Sequence, residues 1–414
     1  MSRSGFARST SMIADLLRIS CLRICALGLA LAIGCGAQSW AQGSKKDEPF
    51  QSTAPFAILI DAESGTVLYE KNADQLMDPS SMAKLMTEEY VFHAIQSGEI
   101  RSEEELSISE NAWRRGGAPS HGATMFASIH SSIPVMDLLR GAIIPAGNDA
   151  CIALAEGIAG GEPQFAELLN KRARDLGLVR SNFSNATGLP DPQLKMTSRE
   201  LAKLAQHIIR TYPEFYGLYN EREFTWNKIR QLSRNPLLKM NIGADGMVTG
   251  LTKDGGYGLV GSAVQNGLRL IVVINGLKSQ KDRADEAKRM LDWGFHGFEP
   301  RLLFAEGEII SQAKLYGGLK SGVPLVADGE IRLLVPRNTP DRIIGRVIYT
   351  GPVPAPIERK QQIGKLKVWR GENVVLEVPL YAGEDVERGS MTQRAFDAAA
   401  ELMIGMFRAG VARL

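Results

Sequence analysis

Asp78-Pro79-Ser80-Ser81-Met82-Ala83-Lys84 is the stretch on which the reading of this chain turns. A proline suits the first position of a helix, because the N–H it lacks would find no partner there. Asp78, just ahead of it, is a helix-capping residue type. Beyond Lys84 the apolar residues Leu85, Met86, Tyr90, Val91 and Ile95 recur at helical spacing, which predicts a helix over 80–97. Ser81 and Lys84 then stand at i and i+3 in the first turn and share a face. A serine attacks a carbonyl only if something takes its proton. A lysine can do so once burial lowers its pKa toward neutrality. Met82, Leu85 and Met86 are neighbours that would desolvate it. Two readings stand open here: a helix start with a chance Ser-x-x-Lys, and a nucleophile beside its base.

Working outward, Phe56–Asp61 and Thr66–Glu70 read as strands joined by a Ser64-Gly65 turn, a hairpin leading into the Ser81 helix. Residues 101–135 read as irregular, with Gly116-Gly117 and Pro119 as loop markers. Helical patterns follow at 135–145, 149–159, 162–176 and 197–210. From about 223 the period changes to strands, at 224–226, 246–252, 256–262 and 268–275, before a helix at 279–297. Helices enclosed by a hairpin and later antiparallel strands predict an α+β domain whose sheet is assembled from both ends of the segment. After Pro300 short apolar runs punctuated by Pro and Gly predict a separate small all-β domain. In residues 390–413, Phe396, Ala399, Leu402, Met403, Met406 and Phe407 fall on one side of a helix. Arg394, Asp397, Glu401 and Arg408 fall on the other. That helix either docks on its own domain or lies in a membrane interface.

The chain has 414 residues, enough for two domains. Its 48 basic and 46 acidic residues nearly balance, and no basic block is present, so nucleic acid is not an expected partner. At the start, Arg3, Arg8, Arg18 and Arg23 precede an apolar run from Ile24 to Ile33 and then small residues ending Ser39-Trp40-Ala41. This is the pattern of a secretory signal peptide over 1–41. Cys21, Cys25 and Cys35 leave with it. Cys151 remains in an apolar stretch and reads as a buried, inert thiol.

Two further strings matter: Ala146-Gly147-Asn148-Asp149-Ala150 between two helices, and Val248-Thr249-Gly250 on a strand. With Ser81-x-x-Lys84 they fall in the order Ser-x-x-Lys, Ser-x-Asn, Lys-Thr-Gly. Ser109-Glu110-Asn111-Ala112-Trp113, Asn185-Ala186-Thr187-Gly188-Leu189 and Gly256-Tyr257-Gly258-Leu259-Val260 add to the likeness. The chain resembles the low-molecular-mass penicillin-binding proteins that act as serine-type D-alanyl-D-alanine carboxypeptidases. The resemblance implies a β-lactamase/transpeptidase-like domain over 50–298, a β domain over 299–388, and an amphipathic membrane-associating helix over 389–414. It implies that Ser81 is acylated, that Lys84 is the general base, and that Asn148 holds Lys84 and the substrate. Val248, Thr249 and Gly250 would be the substrate-binding strand, and N–H groups of Ser81 and of that strand the oxyanion hole. The implied substrate is a peptidoglycan stem peptide ending in D-Ala-D-Ala, with β-lactams as covalent inhibitors and no metal or cofactor. The implied place is the periplasm, attached peripherally to the inner-membrane surface by the tail helix.

The chain departs from the pattern twice. Ala146 stands where the family has the serine of Ser-x-Asn, and Val248 where it has the lysine of Lys-Thr-Gly. Leu251 follows, where some relatives carry His. Losing a proton-transfer group costs ~10²–10⁴ in rate, and losing one partner of a charge pair ~2–5 kcal/mol. A catalytically degenerate member that binds wall peptides without turnover is the competing expectation. Lys253 is a candidate substitute charge. His121, in a Gly/Pro/Ser loop, reads as a solvated side chain that could approach a cleft. A class A-like β-lactamase would need a placed carboxylate, and none is identifiable in the sequence.

Overall fold

A computed structural model describes residues 50–337 and 343–399. The segment 1–41 that the sequence reads as a signal peptide, and residues 400–414 of the expected tail helix, lie outside the described residues. The first part of the fold runs β1 (Phe56–Asp61), β2 (Val67–Lys71), α1 (Lys84–Ser97), β3 (Glu105–Ser107), β4 (Ser132–Pro134), α2 (Val135–Ile143) and α3 (Asn148–Ala159). It continues with α4 (Glu162–Asp175), α5 (Ser198–Thr211), α6 (Pro213–Tyr216), β5 (Glu223–Trp226), β6 (Ile229–Leu232), β7 (Ala244–Thr252), β8 (Gly256–Gln265), β9 (Leu268–Leu277) and α7 (Gln280–Gly297).

Strands β2-β1-β9-β8-β7 form one antiparallel sheet, so the N-terminal hairpin pairs with the strands that arrive two hundred residues later. Both faces are covered. Ile58 and Ile60 enter the helical core, whereas Leu59 between them abuts Gly294 of α7. Burial on both sides explains why β1 and β9 are nearly unbroken apolar runs rather than alternating ones. β7 is an edge strand, and its free edge faces the cleft described below.

The Ser81 helix differs from its expected form at its start. Its first turn, Ser80–Ala83, is 3-10, and the α-helix proper begins at Lys84. It is buried all round from Lys84 to Phe92, Thr87, Glu88 and Glu89 included, so it is the central helix of the domain. The 101–135 segment is less irregular than its glycines suggest: β3 and β4 pair, and 112–116 form a π-helical turn. β6, which the sequence pattern did not reveal, closes a hairpin with β5 outside the main sheet.

A second core follows, built from Ala313, Leu315, Val323, Leu325, Leu333, Leu366, Val368 and Leu380. It belongs to strands β10 (Phe298–Phe304), β11 (Ser311–Tyr316), β12 (Gly322–Val326), β13 (Ile331–Pro336), β14 (Ile343–Tyr349), β15 (Val353–Pro354), β16 (Gln362–Arg370) and β17 (Asn373–Ala382). β10 pairs with β13, and the others form a six-stranded sheet ordered β14-β16-β17-β12-β11-β15. The chain is therefore α+β, with a following all-β part. Among the described residues no helix is long and apolar enough to cross a membrane.

Candidate active site

The serine turn is held from three directions. Asp78 Oδ1 accepts from the Ser80 N–H at 2.8 Å, Asp78 Oδ2 accepts from the Thr252 hydroxyl at 2.9 Å, and the Asn275 amide donates to the Asp78 carbonyl at 2.8 Å. These bonds clamp the turn against β7 and β9. The approach is so close that a Cβ on Gly250 would lie 2.1 Å from Ser80 Oγ. Only glycine leaves room there. Ser81 lines a cleft of about 870 Å³ between this turn, the segment before α3, and β7.

Lys84 lies directly beneath Ser81 and is wholly buried. Its Nζ is 3.2 Å from Ser81 Oγ, 2.8 Å from Asn148 Oδ1 and 2.5 Å from the Thr187 carbonyl. Burial is the main cause that lowers its pKa, with Arg234 acting in the same direction; Cys151, Glu88 and Asp149 act against it. A buried amine with two fixed acceptors and a hydroxyl is equipped to accept that hydroxyl's proton once it is neutral.

The remaining parts of the site position these three groups. Asn148 opens α3. Its neighbour Asp149 is buried and receives the Thr124 hydroxyl at 2.6 Å, the Met125 N–H at 2.9 Å and the Ala127 N–H at 3.1 Å, which ties the 120–127 loop to the site. Burial pushes the Asp149 pKa up, and these donors oppose it. The Asn185–Leu189 string, whose role the sequence left blank, is a self-bonded turn. Asn185 Oδ1 accepts from the N–H groups of Thr187 and Gly188, and its amide donates to Leu189 O. The turn presents the Thr187 carbonyl to Lys84. Gly188, at φ +74°, touches the Ser80 carbonyl where a Cβ would sit 2.2 Å away.

Ser81, Asn148, Thr249 and Gly250 line the cleft, with Lys84 buried under Ser81. Ala146 also lines it, at φ +58°, and offers only a methyl group. The Val248 side chain does not line it. It is 4% exposed and packs in the helical core. Lys253 sits in the β7–β8 turn outside the cleft. His121 does reach it, on a backbone at φ +54°. Three residues absent from the sequence reading supply its charge: Arg234, Lys239 and Arg283. Arg283 comes from α7, is 5% exposed, stacks over Tyr257 at 5.7 Å and reaches toward the Gly250 carbonyl at 3.4 Å. Burial pushes its pKa down to about 10. None carries a sequence signal, since a single arginine in a turn or on a helix has no period. Cys151 is buried and, among the described residues, unpaired, and burial pushes its thiol up to about 12. Among the described residues no group of three or more His, Cys, Asp or Glu side chains is placed to hold a metal ion.

Comparison with known proteins bears on the family and the fold. Residues 42–279 match the family described as D-alanyl-D-alanine carboxypeptidase, and residues 298–388 match the C-terminal domain of penicillin-binding protein 5. The D-alanyl-D-alanine carboxypeptidase DacA of Haemophilus influenzae is 36% identical over 362 residues, 87% of this chain and 92% of that protein. The crystal structure of penicillin-binding protein 5 from Haemophilus influenzae superposes with a TM-score of 0.71 at 37% identity, covering 82% of this chain and 99% of that one. The ampicillin-bound penicillin-binding protein D2 of Listeria monocytogenes superposes with a TM-score of 0.52 at 27% identity, over 60% of this chain and 99% of that one.

Proposed function

The chain belongs to the D-alanyl-D-alanine carboxypeptidase family, and on that premise we propose that it removes the terminal D-alanine from peptidoglycan stem peptides through an acyl-enzyme on Ser81. The carrying observation is the contact of wholly buried Lys84, through Nζ, with Ser81 Oγ at 3.2 Å at the floor of the cleft that Ser81 lines. Neutral Lys84 takes the Ser81 proton as Oγ attacks the penultimate D-Ala carbonyl. The C–N bond to the last D-Ala breaks, and its amine leaves with a proton. Water then cleaves the ester. The peptide lies along the free edge of β7 as an added strand, its main chain bonding Thr249 and Gly250. N–H groups of Ser81 and of that strand receive the oxyanion. Arg283 beside Gly250 contributes positive charge where the terminal carboxylate arrives. β-Lactams acylate the same serine.

Ala146 and Val248 favour a second reading, a member that binds wall peptides without turnover. Labelling by fluorescent penicillin and D-Ala release from a pentapeptide, each with Ser81→Ala as control, decide between them. Labelling lost in the variant together with D-Ala release supports the enzyme. No labelling and no release leaves the binding protein.

The domain limits 50–298 and 299–388 are part of the proposal, as is export by residues 1–41 to the periplasm. So is peripheral attachment to the inner membrane by 389–414. For the tail, residues 391–399 are helical, and Asp397 accepts from the Gly317 N–H at 2.8 Å while Met391 and Phe396 stand exposed. The polar side meets the β part and the apolar side is left outward, as an interfacial helix requires.

A further inference from the structure

Breaking the C–N bond to the last D-Ala releases an amine, and an amine does not leave as its anion, so some group must hand its nitrogen a proton. Lys84 holds the proton taken from Ser81. It is wholly buried, however, and turned to Ser81, Asn148 and Thr187, while the neighbouring position that could pass a proton on is Ala146, a methyl group. The guanidinium groups of Arg234 and Arg283 line the cleft but do not release protons near neutral pH. The titratable side chains that remain there are His121, Lys239 and Tyr257.

Of these, His121 stands on the segment tied to Asn148. The Asn148 N–H donates to the Ala123 carbonyl at 2.8 Å, and a Cβ on Gly122 would lie 3.3 Å from Asn148 Nδ2. Asp149 anchors the same loop through Thr124, Met125 and Ala127. On the other side of His121, Ser120 Oγ donates to the Gly117 carbonyl at 2.7 Å and accepts from the Gly122 N–H at 3.2 Å. His121 is thus held between two bonded turns, in a left-handed conformation at φ +54°. That conformation is costly for a residue with a Cβ and persists where the surroundings impose it. The side chain is exposed and lines the cleft, and among the described residues neither ring nitrogen has a hydrogen-bond partner. Lys239 and Tyr257 come instead from the 3-10 turn after β6 and from β8, and Tyr257 is stacked with Arg283.

We infer that His121 is a further catalytic residue of this site, the general acid that protonates the departing D-alanine nitrogen in place of the hydroxyl absent at position 146. Histidine gives and takes a proton near neutral pH, as this role requires. Lys84 takes the Ser81 proton as Oγ bonds to the carbonyl carbon. The imidazolium of His121 gives its proton to the amide nitrogen as the C–N bond breaks, and D-alanine leaves as an amine. Water then attacks the ester and gives one proton to His121. The bond to Ser81 Oγ breaks as Lys84 returns the first proton. Both side chains end as they began, and one water has been consumed. The inference rests on the carboxypeptidase reading above and supplies the proton donor which that reading needs.

A leaving group that needs no proton separates this role from a structural one. Diacetyl-L-Lys-D-Ala-D-Ala and the thioester in which thioglycolate replaces the last D-Ala form the same acyl-enzyme, but a thiolate departs unprotonated. kcat/KM is measured for each, since it reports events up to release of the first product and leaves out the shared hydrolysis. His121→Gln should lower the amide value by about 10²-fold or more and leave the thioester value unchanged. Ala146→Ser should recover part of the amide rate in that background. His130→Gln, at an exposed histidine of the same segment outside the cleft, should change neither. An equal fall for both substrates, or no fall for the amide, overturns the role of His121, while the carboxypeptidase reading stands on penicillin labelling and D-Ala release by the native protein. A native protein that turns over the thioester and not the amide also overturns it, because the proton donor would then be missing. Neither labelling nor turnover removes the carboxypeptidase reading and this inference with it.

Discussion

Glu88 lies one turn beyond Lys84 on α1, wholly buried. Its Oε2 accepts the Tyr219 hydroxyl at 2.6 Å, and among the described residues its Oε1 has no partner. Burial raises its pKa from the ordinary 4.5 to about 7, against the opposing pull of Tyr219 and Lys84. Between those two pH values the unfolded chain has lost this proton and the folded one keeps it. Stability from Glu88 is therefore complete below pH 4.5 and is lost as pH rises through 7. At about 1.4 kcal/mol per tenfold, the loss is roughly 3 kcal/mol by pH 8. Glu88→Gln keeps an acceptor for Tyr219 but cannot ionise. It also puts an amide where Oε1 had no partner, at a cost of about 1–2 kcal/mol. The variant is expected to be less stable than the native protein at pH 5 by about that amount. It should be more stable at pH 8 by about 1–2 kcal/mol, the roughly 3 kcal/mol ionisation loss less the amide cost. Denaturant unfolding of both proteins from pH 4.5 to 8.5 measures the difference directly, because other titrating groups cancel. A second readout follows from Glu88 raising the Lys84 pKa. Without its charge, the acid limb of the acylation rate should move to lower pH. A stability difference that keeps one sign and size across the range would refute the reasoning.

Gly250→Ala should slow acylation by about 10²-fold or more, since its Cβ would fall 2.1 Å from Ser80 Oγ and displace the serine turn by enough to spoil a near-attack geometry; adding Ser80→Ala should recover part of the rate. Arg172→Met strands Glu89, which is wholly buried and also takes bonds from His207 and Tyr212; a loss of about 3–5 kcal/mol is expected in denaturant unfolding. Burial raises the Glu89 pKa but its donors, Arg172 and His207, outweigh that and hold it low, so native stability from this group is present above the ordinary carboxylate range and falls on acidification. Ala146→Ser with Val248→Lys should raise D-Ala release by about 10²-fold, read as kcat/KM, as a proton-transfer group and a charge are returned. An unchanged rate would mean that those two positions do not limit turnover.

The secondary elements were legible because each depends on near neighbours. The hairpin before the serine, the helices of 135–211 and the strands β7 to β9 fall within a few residues of their expected limits. β6 was missed because Ile229–Leu232 is exposed or half-exposed throughout and shows no buried alternation. The burial of the polar residues of α1 was not legible for a related reason. They are as buried as its apolar ones, and only distant partners such as Arg172, His207 and Tyr219 make that tolerable.

From order and spacing alone, the chain already determined its α+β class, its family and the pairing of Ser81 with Lys84, since i and i+3 on one helical turn meet whatever surrounds them. The tertiary structure decided the environment that makes the pair chemical. Thr187 reaches Lys84 from 103 residues away and Asn148 from 64, and Arg283 reaches Gly250 across 33. It also decided that Val248 points into the core and that Arg234 takes the cleft. Such contacts are made by loops closed over long separations, where a side chain's direction is set by packing and not by any local period, so no pattern along the chain carries them.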